Sequence, residues 1–500
     1  MDIWTILFSI LVIIIVYLYY EYRKVKYFEK HGIPHEKPWP LLGNVGETLL
    51  KRRTIFQYIQ DVYNLNKDAQ YVGIYQFSKP VVCIRNPELI KSIAIKNFDH
   101  FVNHPVFIDA KTEPLFGNNL ISLHDDRWRE VRNLLTPAFT SSKMKGMFKL
   151  MSNIGENFID YLIEDSKDGP VEINSKDAFC RYTNDVIATC AFGISINSMK
   201  DKDNEFYTLG RKGTKFEGAL AMIKMMFIQS FPNLSKLFNI QFIDSKVDRF
   251  FQNVVEDTIR TRDEKGITRP DMIQLMMETR ANETGPTLSI QEMTSQAFIF
   301  FFGGFESSSS LMSFAAHEIA ANPEIQKKLQ NEIDEMFEKT NEDVTYEAVN
   351  GLVYLDAVIN EALRCYPILG VLDRVCTKSF ELPPTLPGKK PLRLEPGDFI
   401  WMPVYPIQRD PIYFDDPDKF NPDRFIKDPK GTLNSPAGLG PRMCIGNRFA
   451  LLETKVLLVH LVAKCQLKLG KKMIMPLEFS NSMMMSAKGG FWLEIQPRKK

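Results

Sequence analysis

A chain of 500 residues with 44% hydrophobic content is long enough to bury a large core, and its composition is that of an ordinary globular protein. Lys plus Arg number 62 against 61 Asp plus Glu, a balance that supplies no bulk attraction to nucleic acid or to an acidic partner. Seven cysteines at irregular spacing with no CxxC pair indicate neither a zinc site nor a disulfide framework, and six of them read as small buried hydrophobes.

Ile3 to Tyr20 carries no charge, and only Thr5 and Ser9 interrupt it with polar groups. A helix over that stretch would span roughly 27 Å, the hydrocarbon thickness of a bilayer. Asp2 before the run and bulky Tyr17, Tyr19 and Tyr20 at its end do not suit a cleaved signal peptide. Arg23, Lys24 and Lys26 follow the run, so the positive-inside rule leaves the rest of the chain in the cytosol. A proline-rich stretch then includes Pro34, Pro38 and Pro40, which stiffen the backbone. The expected division is an anchor and flank over 1–22, a basic, proline-rich linker over 23–44 and one large domain over 45–500.

Within that domain, Tyr71 to Tyr75 and Val81 to Ile84 read as a hairpin, and Asn86-Pro87-Glu88 opens a helix. From about residue 125 to 365 the apolar spacing is mainly helical. Trp128 and Arg132 share one helical face there, and Arg269-Pro270-Asp271 punctuates the chain before a helix from Met272 to Thr279. A helix over Gln296 to Ala316 carries Phe298, Phe300, Phe301, Phe302 and Phe305 around Gly303-Gly304. Adjacent glycines inside a helix cost about 1 kcal/mol each relative to alanine, which suggests a bulge, a close ligand approach or a packing notch. Glu306 and Ser307 follow as an acid beside an alcohol, the pair that proton delivery needs. Glu361 and Arg364 stand three apart on another helix. After Pro367 the texture turns to prolines and short apolar runs, with a last long helix from Arg448 to about Cys465. The expected fold class is mainly α with a minor β part.

The strongest site signal is Pro436-Ala437-Gly438-Leu439-Gly440-Pro441-Arg442-Met443-Cys444-Ile445-Gly446-Asn447-Arg448-Phe449-Ala450. Its glycines allow a tight turn that approaches a flat ligand closely. The helix beginning just after Cys444 would place free N–H groups near the sulfur and favour a thiolate. This run resembles the cysteine-ligand loop of cytochrome P-450 monooxygenases in residue type and in spacing. It departs from that pattern at Ala437, where the family usually has an aromatic residue.

The resemblance covers essentially the whole chain, to Trp492, and implies a single haem domain behind the anchor. It makes Cys444 the axial ligand of the iron of haem b, with Trp128, Arg132, Arg374 and Arg442 around the haem propionates. It implies that Glu361, Arg364 and Arg424 lock the core as structural residues. Glu306 and Ser307 become the proton-delivering residues. The family usually has threonine where this chain has Ser307, so retained oxygenation with some leakage to peroxide is expected. Texture such as Phe302-Gly303-Gly304-Phe305-Glu306-Ser307-Ser308 is similar to insect microsomal enzymes of the sixth and ninth families and leans to the ninth.

Alignment with the family's pocket segments assigns Phe107, Phe298, Phe302, Leu369 and Met484 to an apolar substrate pocket for lipophilic molecules, either xenobiotics such as plant toxins or insecticides or endogenous lipids or hormones. Phe227 to Phe231 reads either as a segment dipping into the bilayer or as core. No nucleotide fingerprint exists in the chain, so the resemblance implies electrons from NADPH through cytochrome P-450 reductase, with cytochrome b5 as a second donor. Arg127, Arg129, Lys143, Lys145 and Arg448 are candidates for its docking face. The implied location is the endoplasmic reticulum membrane, with the domain in the cytosol. Two rival readings are a haem-thiolate isomerase or dehydratase that needs no NADPH, and a non-catalytic binder of lipophiles.

Overall fold

The computed structural model describes residues 5, 8–9, 11–12, 15–16, 19, 26–40, 42–50, 52–77, 79–105, 108, 110–111, 113–165, 169–214, 224, 228, 235, 237–238, 240–269, 271–279, 287–427 and 438–498. Most of the expected anchor lies outside them, as do Phe107, Ala437 and all of Phe227 to Phe231 except Ile228, which is buried. Among the described residues, no helix is long and apolar enough to cross a membrane. The described members of the anchor stretch are helical, and Phe8, Ile15, Val16 and Tyr19 are exposed.

Helices dominate, and their starts follow local chemistry. Helix α1 (Ile55–Asn64) begins at a capping box in which Thr54 and Gln57 satisfy each other's backbone N–H groups. The hairpin of β1 (Tyr71–Gln76) and β2 (Lys79–Ile84) forms where the sequence places it. Next come α2 (Asp125–Leu135) and α3 (Ser141–Asp165), then β3 (Val171–Asn174) leading into α4 (Ser175–Ile187), whose first turn Asn174 caps. Helices α5 (Glu205–Thr214) and α6 (Ser245–Lys265) follow, with Gly266 closing α6 in a left-handed conformation at φ 61°.

The long central helix differs from its expected bounds. It runs as α7 (Ile290–Gly303), a π-helical turn (Gly304–Ser308) and α8 (Ser309–Ala321). It therefore starts six residues before Gln296, because Ser289 and Glu292 form a capping box that the aromatic run overshadows. Beyond it lie α9 (Pro323–Lys339) and α10 (Val353–Cys365), and then the short strands β4 (Leu372–Val375), β5 (Phe380–Leu382), β6 (Leu392–Leu394) and β7 (Phe399–Met402). Helix α11 (Asn447–Lys464) leads into β8 (Cys465–Leu469), which pairs with β9 (Trp492–Pro497).

A four-stranded sheet has the order β1-β2-β7-β4, with β2 and β7 parallel and the other pairs antiparallel. A second sheet is β3-β9-β8, and β5-β6 is a small separate pair. The main core lies among α3, α4, α7, α8 and α11; Leu452 to Ala463 of α11 are buried without a break. Six of the seven cysteines are buried and free, whereas Cys444 has accessible surface.

Candidate active site

The loop that presents Cys444 is built on glycine geometry. Gly438 and Gly440 have φ of 94° and 70°, a region other residues rarely adopt. A Cβ on Gly440 would lie 1.9 Å from the Ala94 carbonyl oxygen, so the backbone there touches the segment 92–96 with no room for a side chain. A 3-10 turn, Gly440–Arg442, then delivers the chain to Cys444, and Gly446 caps α11. Burial pushes the Cys444 thiol up, while the Gly446 N–H and the Arg132 charge pull it down. Thiolate formation therefore needs a further positive partner at the sulfur. Among the described residues no group of three or more His, Cys, Asp or Glu side chains is set to hold a metal ion.

Around Cys444 sit Arg132, Arg374 and Arg442, which form no salt bridge among the described residues, with Asp125 and Asp373 as the nearest acids. Arg442 lies 4.0 Å above the Trp128 ring and donates to the carbonyls of Val102, Leu120 and Leu123 at 2.7, 3.2 and 2.8 Å. Arg374, 2% exposed on β4, donates to the Asp373 carbonyl at 2.6 Å, and its Nε has no partner among the described residues. Burial, then repulsion from Arg374 and Arg132, pulls Arg442 down to about 9; burial pulls Arg374 down to about 10 and lowers Arg132 as well. A fall of this kind marks guanidinium desolvation that no counter-charge fully offsets. Two acidic groups on a bound ligand would supply it, which is how the residues present fit the propionates of haem.

Two histidines join this cluster that the sequence reading missed. His104 Nδ1 lies 2.7 Å from Asp373 Oδ1, and His124, just before α2, has a buried Nε2 with no partner among the described residues. Burial, and then the nearby arginine charge, lowers His124. The only signal was a histidine four residues before Trp128, which is indistinguishable from a loop residue.

The π-turn explains the paired glycines in two ways. A Cβ on Gly303 would meet no atom within 4 Å, so that face is open; one on Gly304 would press Ile187 Cδ1 at 2.8 Å, so that face is a packing notch. Ser307 Oγ donates to the Gly303 carbonyl at 2.5 Å. Glu306 is held by Lys176 at the start of α4: the ammonium reaches its carboxylate at 2.8 Å and its carbonyl at 3.0 Å, and also Ser309 Oγ and Ser310 Oγ at 2.8 and 2.7 Å. Lys176 is a second residue the sequence reading missed, since 130 positions separate it from Glu306.

Glu361 and Arg364 meet in a fork of two bonds, 2.7 and 2.8 Å, and Arg424 reaches the same carboxylate at 3.0 Å. The Asn421 N–H adds a fourth donor at 2.8 Å, and Glu361 and Arg364 are 0% and 1% exposed.

The expected pocket residues separate. Phe302 is 8% exposed, near Gly303, with its ring 6.4 Å from Phe116. Leu369 and Met484 lie on neighbouring loops joined by the Met485 N–H donating to the Ile368 carbonyl at 3.0 Å. Phe298 is 0% exposed, with its ring 5.2 Å from Phe251 on α6 and 6.5 Å from Phe116, the ring that Phe302 also meets. Three of the basic docking candidates are paired with acids of this chain. Arg127 pairs with Glu130 and Glu292, Arg129 with Asp99 and Lys145 with Glu347, which leaves Lys143 and Arg448 without an acidic partner among the described residues.

Comparison with known proteins agrees with this geometry. Residues 33–493 match the family model described as Cytochrome P450. The chain is 40% identical to "Cytochrome P450 9e2" of Blattella germanica, over 99% of this chain and 98% of that protein. It is 38% identical to "Probable cytochrome P450 9f2" of Drosophila melanogaster, over 94% and 95% of the two chains. It is 34% identical to "Probable cytochrome P450 6a18" of the same fly over 96% of both. A haem-thiolate monooxygenase with haem b as cofactor accounts for both the sequence and the site, and the chain belongs to the cytochrome P450 family.

Proposed function

We propose that the protein is an NADPH- and reductase-dependent monooxygenase of lipophilic small molecules, xenobiotics among them, anchored at the endoplasmic reticulum. What supports this reading is the glycine-built Cys444 loop with three arginines that form no salt bridge among the described residues, together with a π-turn (Gly304–Ser308) that follows an open face at Gly303 and carries the Ser307 hydroxyl. Bound haem would supply the oxygen chemistry, with the Cys444 thiolate donating electron density toward O–O cleavage. One oxygen atom enters the substrate and the other leaves as water, which consumes two electrons and two protons. Arg132, Arg374 and Arg442, with His124, would hold the propionates and fix the haem plane.

Ser307 is placed to hand on a proton through Oγ, breaking its bond to the Gly303 carbonyl as it turns. Glu306 is its source of protons from solvent, and Lys176 must release the carboxylate before it can serve. Phe302, Leu369 and Met484 offer apolar contact, which suits substrates with few orienting polar groups. Exposed Phe8, Ile15, Val16 and Tyr19 support membrane attachment, since apolar side chains of this size seek an apolar cover. Lys143 and Arg448, without an acidic partner among the described residues, offer charge to an acidic reductase face, and cytochrome b5 is a second candidate partner for it.

The test is expression with haem and reductase, a carbon-monoxide spectrum of the reduced protein, and NADPH-dependent turnover of a panel of lipophilic toxins. A thiolate-type band that disappears in Cys444→Ala, with oxygen consumed only when NADPH and reductase are present, is the expected result. Turnover of peroxides without NADPH would favour an isomerase, and haem binding with no oxygen consumed would favour a binder.

A further inference from the structure

Glu453 lies on α11, which packs against the π-turn. It is 0% exposed, and neither carboxyl oxygen has a well-aligned hydrogen-bond partner among the described residues. No cation pairs with it there. The groups that face it are the Ser308 hydroxyl at the end of the π-turn, and Tyr182 and Cys190 from α4 and the turn that follows. Tyr182 is already engaged, since its hydroxyl donates to the Glu453 main-chain carbonyl at 3.2 Å. Burial keeps Tyr182 and Cys190 neutral by pushing both up. Ser308 Oγ is itself buried with no hydrogen-bond partner among the described residues, on the turn against which α11 packs.

Two orphaned polar groups that face each other inside a packed core have one economical solution. An ionised carboxylate without a cation is too costly there, whereas a carboxylic acid can donate its proton to a hydroxyl oxygen. Burial does push the Glu453 carboxyl well above the usual carboxylate range.

We propose that Glu453 is a positioning residue for oxygen activation: its carboxylic O–H donates to Ser308 Oγ and pins the π-turn in the register that presents Glu306 and Ser307. Relaxation of that turn to α-helical register would shift the residues on one side of it by one position, about 100° around the helix. Ser307 Oγ would then leave the Gly303 face. This inference rests on the relay reading of Glu306 and Ser307.

Three variants of the haem-loaded protein test it. Glu453→Gln keeps a donor in place, Glu453→Leu removes the acid, and Ser308→Ala removes the acceptor. Infrared spectroscopy should show a carboxylic-acid carbonyl band that persists across the pH range where solvated carboxylates titrate, is absent in Glu453→Gln and shifts in Ser308→Ala. With NADPH and reductase, the ratio of peroxide released to product formed should rise on the order of five-fold in Glu453→Leu and Ser308→Ala, the factor set by one net hydrogen bond. Glu453→Gln should hold the wild-type ratio. A missing band, a band unmoved in Ser308→Ala, or an unchanged ratio in Ser308→Ala overturns the proposal. Should Glu453→Leu fail to fold, Ser308→Ala and the infrared readout still decide. An unchanged ratio in Ser307→Ala would count against the relay reading alone, because the infrared arms report the Glu453–Ser308 bond directly.

Discussion

Two buried guanidinium clusters sit in this fold, and they differ in where their counter-charge comes from. Around Glu361 the carboxylate is part of the chain: Arg364, Arg424 and the Asn421 N–H all converge on it, and Arg364 spends its remaining N–H groups on the carbonyls of Gln408, Pro417 and Lys419. Around Cys444, Arg132, Arg374 and Arg442 repel one another, and Arg374 Nε has no partner among the described residues. The first cluster is complete when the chain folds, whereas the second is completed by what binds. A charge network finished within the protein serves stability; one left unfinished reserves its energy for a ligand.

Breaking the complete cluster should have the largest effect. Glu361→Leu leaves two buried guanidiniums unpaired and should cost about 3–5 kcal/mol of stability, measured by denaturant unfolding. A loss of less than 1 kcal/mol would erase the distinction between the clusters. Haem removal tests the other side. A ligand at roughly a thousand times its dissociation constant stabilises by about 4 kcal/mol. Stripping it should speed hydrogen exchange over 98–104, 120–132 and 438–446 while 361–364 stays protected. Equal acceleration in both regions would mean that they form one unit.

A buried group that escapes the problem by staying neutral sharpens the comparison. His317 is 2% exposed with no partner for Nδ1 among the described residues, and burial lowers it to about 4. Its folded value lies below the ordinary one of about 6.5, so the unfolded chain takes up the proton first. Stability is therefore full above about pH 6.5 and falls as the pH drops toward 4. His317→Phe should flatten that fall, by about 1–2 kcal/mol near pH 5. Parallel pH curves for the two proteins would rule this out. The smallest effect is also the most discriminating. Arg374→Met should stabilise the haem-free protein by about 1 kcal/mol, because it removes an uncompensated charge, yet weaken haem binding on the order of ten-fold. A change of the same sign in both forms would show that Arg374 is an ordinary core residue.

Much of this was legible in the sequence where the signal is local. The hairpin at 71–84, the helix after Cys444 and the buried cysteines follow from spacing, glycine and hydrophobicity. Pairs such as Glu361 and Arg364 are also local, and the chain brings Arg424 to them. What spacing cannot show is contact across the fold. Lys176 meets Glu306, and Ser308 faces Glu453, only because α4 and α11 pack against the π-turn. Phe298 and Phe302 sit on one helix four residues apart, yet only the first is wholly enclosed, because its contact with Phe251 depends on where α6 lies. Charge on a surface misleads for the same reason: Arg127, Arg129 and Lys145 look basic until their acidic neighbours are in place.

The ligand loop also fixes how freely this chain can drift over evolutionary time. Gly440 faces a carbonyl oxygen at a distance no side chain tolerates, whereas a Cβ on Gly446 would rest 3.8 Å from Phe139 Cε1 in ordinary contact. A saturation library scored for haem incorporation should therefore reject every substitution at 440 and accept alanine at 446. Two glycines that look alike in an alignment would then carry very different mutational loads, one set by collision with a neighbouring backbone and the other by habit of descent.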